Sequence, residues 1–400
     1  MNKTIQFSPP DITQKEIDEV IDTLKSGWIT TGPKTKRFEK EIATYCGCEK
    51  VVCLNSATAG LEVVLRLFDI GEGDEVITTP YTFAATINVI LHTGATPVLV
   101  DLKPNEFNID PQKIKKAITK NTKAIIPVDI GGFPCDYDEI FEIIKSNNQF
   151  KPKSNTLQQN LGRILVLADS AHSFGASYDN KKIGNVADFT VFSFHAVKNL
   201  TTAEGGAITF NSINDLASDE IYKKIMLLSL HGQSKDALEK FKSGGWQYDI
   251  ALDGYKYNMT DIAASIGLIQ LARYETEIIP HRKKIYELYQ KNLSNDSRFI
   301  LPPFFDPKKT NCYHLFPLRI NNTDEPKRNE IISKMAEKGV SVNVHFIPIP
   351  LHSFYKKIGF DIKNYPLCYD MYKNEISLPI HSKLTEEDVN YICDELKKLV

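Results

Sequence analysis

Short apolar runs recur through the first half of the chain, at residues 51–55, 75–79, 97–101, 123–128, 164–169, 189–194 and 207–210. Most are separated by stretches with helical periodicity or turn-rich composition, and this alternation predicts a largely parallel sheet with helices on both faces. Ligands of such folds gather outside the carboxyl ends of the strands. Ahead of the first run, Thr13 and Glu16 have capping-box spacing, Ile17, Val20, Ile21 and Leu24 fall on one helical face, and Gly27 ends the helix. Beyond Phe210 the pattern predicts a helix over 215–230, then a polar segment from Gln233 to Gly254 carrying Gly244-Gly245-Trp246, expected to be an ordered loop or lid. An apolar helix follows over 262–271.

From about His281 a charged helix leads into a smaller unit. Strands are expected there at 315–320 and 340–346, flanking a helix at 327–338, and Thr385 to Asp388 open a last helix. The reading is a large domain over residues 1–255 and a smaller one over 256–400. The polar stretch at about 145–162 is expected to be a mobile surface insertion and not a boundary.

Composition narrows the classes. Four hundred residues with 42% apolar content suffice for a sizeable core, and a formal charge of -2 argues against coating nucleic acid or an anionic membrane. Anionic ligands must therefore be met locally. The seven cysteines are scattered, and the close pair Cys46-Gly47-Cys48 fits no common zinc or redox spacing, so they are expected to be reduced packing residues with no metal site. The first residues lack the apolar core of a signal peptide, and no apolar run approaches membrane-spanning length. A soluble, cytoplasmic protein is expected.

The chemistry centres on Lys198, in a polar turn between the run ending at Phe194 and Gly205-Gly206. A lysine in such a turn is commonly a solvated loop group. The preceding run, however, ends in Asp169, with His172 just beyond. An acid at one strand end and a lysine past the next suit pyridoxal 5'-phosphate, whose aldehyde bonds a lysine amine and whose pyridine nitrogen stays protonated beside a carboxylate. The small, hydroxyl-rich turn Asn55 to Gly60 opens a helix marked by Leu61, Val64, Leu65 and Phe68, and offers amides and a dipole to a phosphate. Thr58, through its side chain, and Ala59, through its amide, are the expected donors. Gly131-Gly132 forms a turn that lets backbone approach such a cofactor.

The motifs Gly27 to Pro33, Ser56 to Gly60, Pro80 to Phe83, Asp169 to His172, Ser193 to Gly206 and Gly254 to Asp261 span nearly the whole chain. In this order they resemble the DegT/StrS-type nucleotide-sugar aminotransferases. The resemblance implies the pyridoxal-phosphate aminotransferase fold type I, with a mostly parallel seven-stranded sheet and a smaller C-terminal α/β domain. It implies catalytic roles for Lys198, Asp169 and His172, the last beside the ring hydroxyl, with Phe83 stacked on the ring and Ser193 as a second phosphate donor. Trp28, Thr30, His195 and His345 are the implied sugar contacts, and Glu204 lies near the lysine without an assigned role.

The segment Lys256 to Asn258 is implied to reach the partner's cofactor phosphate in a homodimer with shared sites. Many relatives have asparagine where Lys256 stands and arginine where Asn258 stands, and Asn258 is taken as the contact. The reaction implied is ping-pong transfer from L-glutamate to a nucleotide-linked keto sugar for surface-polysaccharide synthesis. The form His195-Ala196-Val197-Lys198-Asn199 is similar to the branch aminating carbon four of UDP-4-keto sugars. Two alternatives stand beside it: a sugar dehydratase, whose relatives replace the lysine by histidine, and a non-enzymatic sugar-nucleotide-binding regulator, which predicts a degraded site.

Overall fold

A computed structural model of the protein describes residues 4–234, 247–303 and 305–400. The seven expected strands all form: β1 (Lys50–Leu54), β2 (Glu75–Thr78), β3 (Thr96–Leu99), β4 (Thr122–Ile125), β5 (Leu165–Asp169), β6 (Phe189–Ser193) and β7 (Gly206–Phe210). They make one sheet in the order β1-β7-β6-β5-β4-β2-β3. Strand β7 is antiparallel to both β1 and β6, and the other pairs are parallel. The connection from β6 to β7 contains no helix, and β7 returns beside β6 in the opposite sense.

Alternation along each central strand feeds two cores. Val51, Cys53, Val166 and Ala168 pack on one face, and Val52, Leu54, Leu165 and Leu167 on the other. Helices α1 (Gln14–Ser26), α2 (Pro33–Cys46), α3 (Ala57–Leu67), α4 (Ala84–His92) and α5 (Asp261–Arg273) surround this sheet. Helix α1 begins at the expected Thr13–Glu16 capping box and packs on α5. Its apolar stripe faces outward: Ile17, Ile21 and Leu24 are 45%, 41% and 53% exposed.

A second, antiparallel sheet is built from β8 (Phe299–Ile300), β9 (Phe316–Ile320) and β10 (Glu375–Leu378), with α6 (Glu325–Glu337) and α7 (Glu386–Leu399). Its own core gathers Ile285, Tyr289, Phe316, Leu318, Ile376 and Leu396. The expected strand at 340–346 does not form. Only Val340 and Asn343 make bridges, because side chains take the amides that a ladder needs: Val344 N donates to Asn343 Oδ1 and His345 N to Glu375 Oε2.

The 145–162 stretch is fastened, contrary to the expectation of mobility. Leu157 is buried, Gln158 Nε2 donates to Phe68 O at 2.9 Å, and Lys153 Nζ meets Asp74 at 3.0 Å. The expected lid motif Gly244-Gly245-Trp246 lies outside the described residues. All seven cysteines are free thiols.

Candidate active site

The turn after β6 is closed at its base. Phe194 N donates to Gly205 O at 2.8 Å and Thr202 N to Phe194 O at 2.9 Å, while inside the turn Lys198 N donates to His195 O at 2.9 Å. Gly206 is required at the exit, since a Cβ there would lie 2.5 Å from the amide nitrogen of Ala57. This approach brings the lysine turn against the first turn of α3. Lys198, Asp169, His172, Thr58, Ser193 and Phe83 consequently line one cavity of about 360 Å³.

Burial sets the charges. It pushes the Lys198 amine down to about 8, against the opposing pull of Asp169. It raises the Asp169 carboxyl, opposed by the Thr86 hydroxyl at 2.8 Å, the Ala171 N–H at 3.3 Å and the charge of Lys198. Thr86 spends its only proton on Asp169, so Thr82 donates in the 2.8 Å contact between the two hydroxyls.

Asp129, wholly buried, holds the turn that carries Asp169 and His172: it accepts from Ser170 and Ser173 at 2.9 Å and from Tyr137 at 3.0 Å. His172 Nδ1 accepts the Gly131 N–H at 3.3 Å. Burial keeps its ring neutral, so the proton sits on Nε2. The Gly131-Gly132 turn thus acts on His172.

The His314 ring lies 4.4 Å from that of His172, tilted by 44°. Asn199 donates through Nδ2 to Cys312 O, leaving Oδ1 to accept from His314 Nδ1 at 2.8 Å. The N-terminal segment covers the cavity. Ile5 pairs with the 339–341 backbone, Phe7 stacks on His345 at 5.3 Å, and the Ser8 hydroxyl donates to Val197 O at 3.0 Å.

His345 lines the same cavity, and His195 stands exposed at its rim, 3.6 Å from Glu204. Ala59 is not a free donor: its amide goes to the Ser56 hydroxyl at 3.1 Å, and the open amides at the start of α3 are those of Ala57 and Thr58. Trp28, Thr30 and Asn258 do not line the cavity of their own chain. They are buttoned together instead, with Asn258 Nδ2 donating to Thr31 Oγ1 at 2.6 Å, Trp28 Nε1 to Thr31 O at 3.1 Å and Asp261 N to Thr30 O at 3.0 Å. Sequence reading missed Thr82, Thr86, His314, Phe7 and Phe346, the last lining the cavity with its ring stacked 5.5 Å from His172. Only the i, i+4 pair Thr82 and Thr86 left a trace, at the opening of a helix beside a candidate aromatic.

These residues fit pyridoxal phosphate. A lysine and a carboxylate share one cavity, and the same cavity reaches the start of α3 at Ala57 and Thr58, beside the hydroxyls of Thr58 and Ser193. Among the described residues no group of three or more His, Cys, Asp or Glu could hold a metal ion. The fold and site together define a pyridoxal-phosphate-dependent aminotransferase of fold type I.

Comparison with known proteins carries this further. The profile of the DegT/DnrJ/EryC1/StrS aminotransferase family matches residues 10–397, and the chain belongs to that family. It is 44% identical over 395 residues to an uncharacterized protein of Methanocaldococcus jannaschii, covering 98% of this chain and 96% of the relative. It is 38% identical over 406 residues to the spore coat polysaccharide biosynthesis protein SpsC of Bacillus subtilis, covering 100% and 98%. A putative sugar aminotransferase from Streptococcus pneumoniae, solved in its PMP-form, superimposes with a TM-score of 0.95 at 47% identity, covering 99% of this chain and 98% of that one. The same protein is also solved in a PLP-form, at a TM-score of 0.94.

Proposed function

We propose that this aminotransferase moves an amino group from L-glutamate to a nucleotide-linked keto sugar, at carbon four of a UDP-4-keto sugar, in the synthesis of a surface polysaccharide. The observation that carries the reading is Lys198 and Asp169 facing one cavity at the carboxyl ends of β5 and β6. The sugar aminotransferase and spore-coat relatives support the substrate class, and the His195 to Asn199 motif supports the carbon-four branch.

Pyridoxal phosphate, when bound, supplies an aldehyde for the amino group and a protonated ring that withdraws electrons from the reacting carbon. Lys198 would hold the aldehyde and, once released, carry the proton between carbons, as an amine poised near 8 does efficiently. Asp169 would hold the ring nitrogen, with Thr86 fixing the carboxylate. His172 would present its Nε2–H to the ring hydroxyl. Ala57, Thr58 and Ser193 would take the phosphate, and Phe83, 63% exposed over the cavity, would cover the ring.

The outward stripe of α1 supports a homodimer. A groove lined by Ile12, Ile17, Ile21, Ala196 and Ala203 joins that stripe to the loops flanking Lys198, and the Trp28 loop and Asn258, which do not line their own chain's cavity, are assigned to the site of a second copy seated there. The chain is read as a cofactor-binding domain and a smaller C-terminal domain, with the boundary moved from the expected residue 255 to beyond Arg273, because α5 packs on α1 and α2 and buries Ala264 and Leu268 in the large core. Among the described residues no helix is long and apolar enough to cross a membrane, and the free thiols support the cytoplasm.

The site is intact, which speaks against a non-enzymatic role, and Lys198 speaks against dehydration. Borohydride treatment of the loaded protein is expected to fix the cofactor on Lys198, read by peptide mass. Lys198→Ala is expected to abolish turnover with an unchanged melting curve. Turnover of UDP-, dTDP- and GDP-linked keto sugars with glutamate tests the substrate, and no turnover with any of them would remove the sugar assignment.

A further inference from the structure

The small sheet carries a polar chain that the chemistry above leaves unused. Along β10, Glu375 and Ser377 project to one face while Ile376 and Leu378 enter the apolar core beneath. Both polar side chains are fully buried, and a carboxyl group is stable there only when hydrogen-bonded. Glu375 Oε1 lies 2.5 Å from the Ser377 hydroxyl, and its Oε2 accepts the His345 backbone N–H at 3.2 Å. Ser377 Oγ lies 3.0 Å from His345 Nδ1. The chain ends in the cavity, because His345 lines it together with Lys198. Its uncommitted nitrogen is Nε2.

Counting protons shows what such a chain does. If Glu375 is ionised, Ser377 gives its only proton to the carboxylate, its oxygen accepts from His345 Nδ1–H, and Nε2 offers a lone pair. If Glu375 is protonated, the same contacts reverse: the carboxyl O–H donates to Ser377, whose proton turns to Nδ1, and Nε2 carries the hydrogen. A single buried proton therefore decides whether His345 accepts or donates in the cavity.

We propose that Glu375, acting through Ser377, is a positioning residue that sets the tautomer of His345, and that one proton passes along this chain to and from the oxygen of the bound keto sugar. The proposal rests on the reading of the cavity as a keto-sugar site. In the forward direction Glu375 gives a proton to Ser377 Oγ, Ser377 gives its own to His345 Nδ1, and Nε2–H protonates the carbonyl oxygen as the incoming amino nitrogen bonds its carbon. The carbon–oxygen bond then breaks, the departing water takes its second hydrogen from that nitrogen, and the nitrogen's other proton returns to Nε2 by the opposite path, with no change of oxidation state.

The surroundings fit. Burial pushes the Glu375 carboxyl up to about 8, against its hydrogen bonds and the charge of Arg328, so both forms are reachable near neutral pH. Arg328 and Tyr81 are the other charged or titratable groups that face Glu375. The guanidinium of Arg328 is committed to the Tyr372 and Glu375 carbonyls. Lys198 faces His345, with His172 and His314 on the same side.

The test separates the two half-reactions on the loaded enzyme, using Glu375→Gln, Ser377→Ala and Ser377→Thr. The glutamate half-reaction, read as loss of the aldehyde-form absorbance, is expected to stay within roughly twofold of wild type in all three. The sugar half-reaction is expected to lose roughly 10²-fold in kcat, with little change in KM, in Glu375→Gln and Ser377→Ala, and to recover in Ser377→Thr. Nitrogen-15 spectra of cofactor-free, histidine-labelled protein, assigned with His345→Gln, give a second readout. His345 should exchange its Nδ1–H form for its Nε2–H form as Glu375 gains its proton in wild type, and not in Ser377→Ala.

An unchanged sugar half-reaction, equal losses in both half-reactions, or the same His345 spectrum in wild type and Ser377→Ala would each overturn the proposal. If wild type takes nitrogen from glutamate and passes it to no sugar, the keto-sugar reading fails, and the spectra still decide whether Glu375 governs the ring.

Discussion

A lysine amine inside this cavity is a different reagent from one in water. At pH 7 an ordinary lysine is protonated almost completely, whereas Lys198, lowered to about 8, is a nucleophile in a useful fraction of molecules. Capture of pyridoxal phosphate by the cofactor-free protein should therefore accelerate about tenfold per pH unit below about 8 and level off above it, in stopped-flow absorbance. Asp169→Asn removes the charge that holds the amine protonated, so its break should fall at lower pH. The sign for stability follows from the same depression. The folded state binds fewer protons than the unfolded one between about 8 and 10.5, so Lys198 makes the fold gain stability as pH rises through that window.

Thr86→Val should lower kcat by roughly tenfold or more, because a hydrogen bond to a charged group is worth about 1.5–3 kcal/mol. Thr86→Ser should restore it. Such residues mark where sequence reading stops. Lys198 and Asp169 were legible because their chemistry and strand-end positions coincide. Thr86, His314 and Glu375 matter through contacts with distant segments, and no local pattern announces those. The misassigned Ala59 amide shows the same limit, since Ser56 competes for it only once the helix exists.

Among elements, the strands of the large sheet were readable because most are apolar runs buried on both faces, the edge strand β3 being the half-exposed exception. Strand β10 was missed for the opposite reason, its outer positions being Glu375 and Ser377, while the apolar stretch at 340–346 gave its amides to side chains. The junction of β7 with α3 is packed backbone against backbone. Gly206→Ala places a methyl 2.5 Å from the Ala57 nitrogen. The variant should lose about 1–3 kcal/mol in denaturant titration and bind pyridoxal phosphate more weakly, since the amides that face the phosphate must move. Ser56→Ala, which removes only the cap, should cost about 1 kcal/mol and leave that affinity less affected.

For the molecule as a whole, the informative surface is the outward apolar stripe of α1. Monomeric proteins rarely leave such a face uncovered. Changing Ile17 and Leu24 together to Glu should shift the mass by light scattering from dimer to monomer and abolish activity, because the Trp28 loop and Asn258 lie away from their own chain's cavity. A monomeric wild type would remove both the dimer and the sharing of sites. The stripe was visible in the spacing of Ile17, Val20, Ile21 and Leu24, but only tertiary structure reveals that none of the described residues covers most of it.

The stretch from Ile5 to Ser8 links regions that sequence distance keeps apart. One end is stitched to the backbone beside Val340, the middle lies flat on His345, and the other end is tied to the carbonyl preceding Lys198. Any tilt of the small sheet must then drag this ceiling across the lysine's doorway. How the two halves of the chain are posed and how wide the entrance stands are, in mechanical terms, a single coordinate.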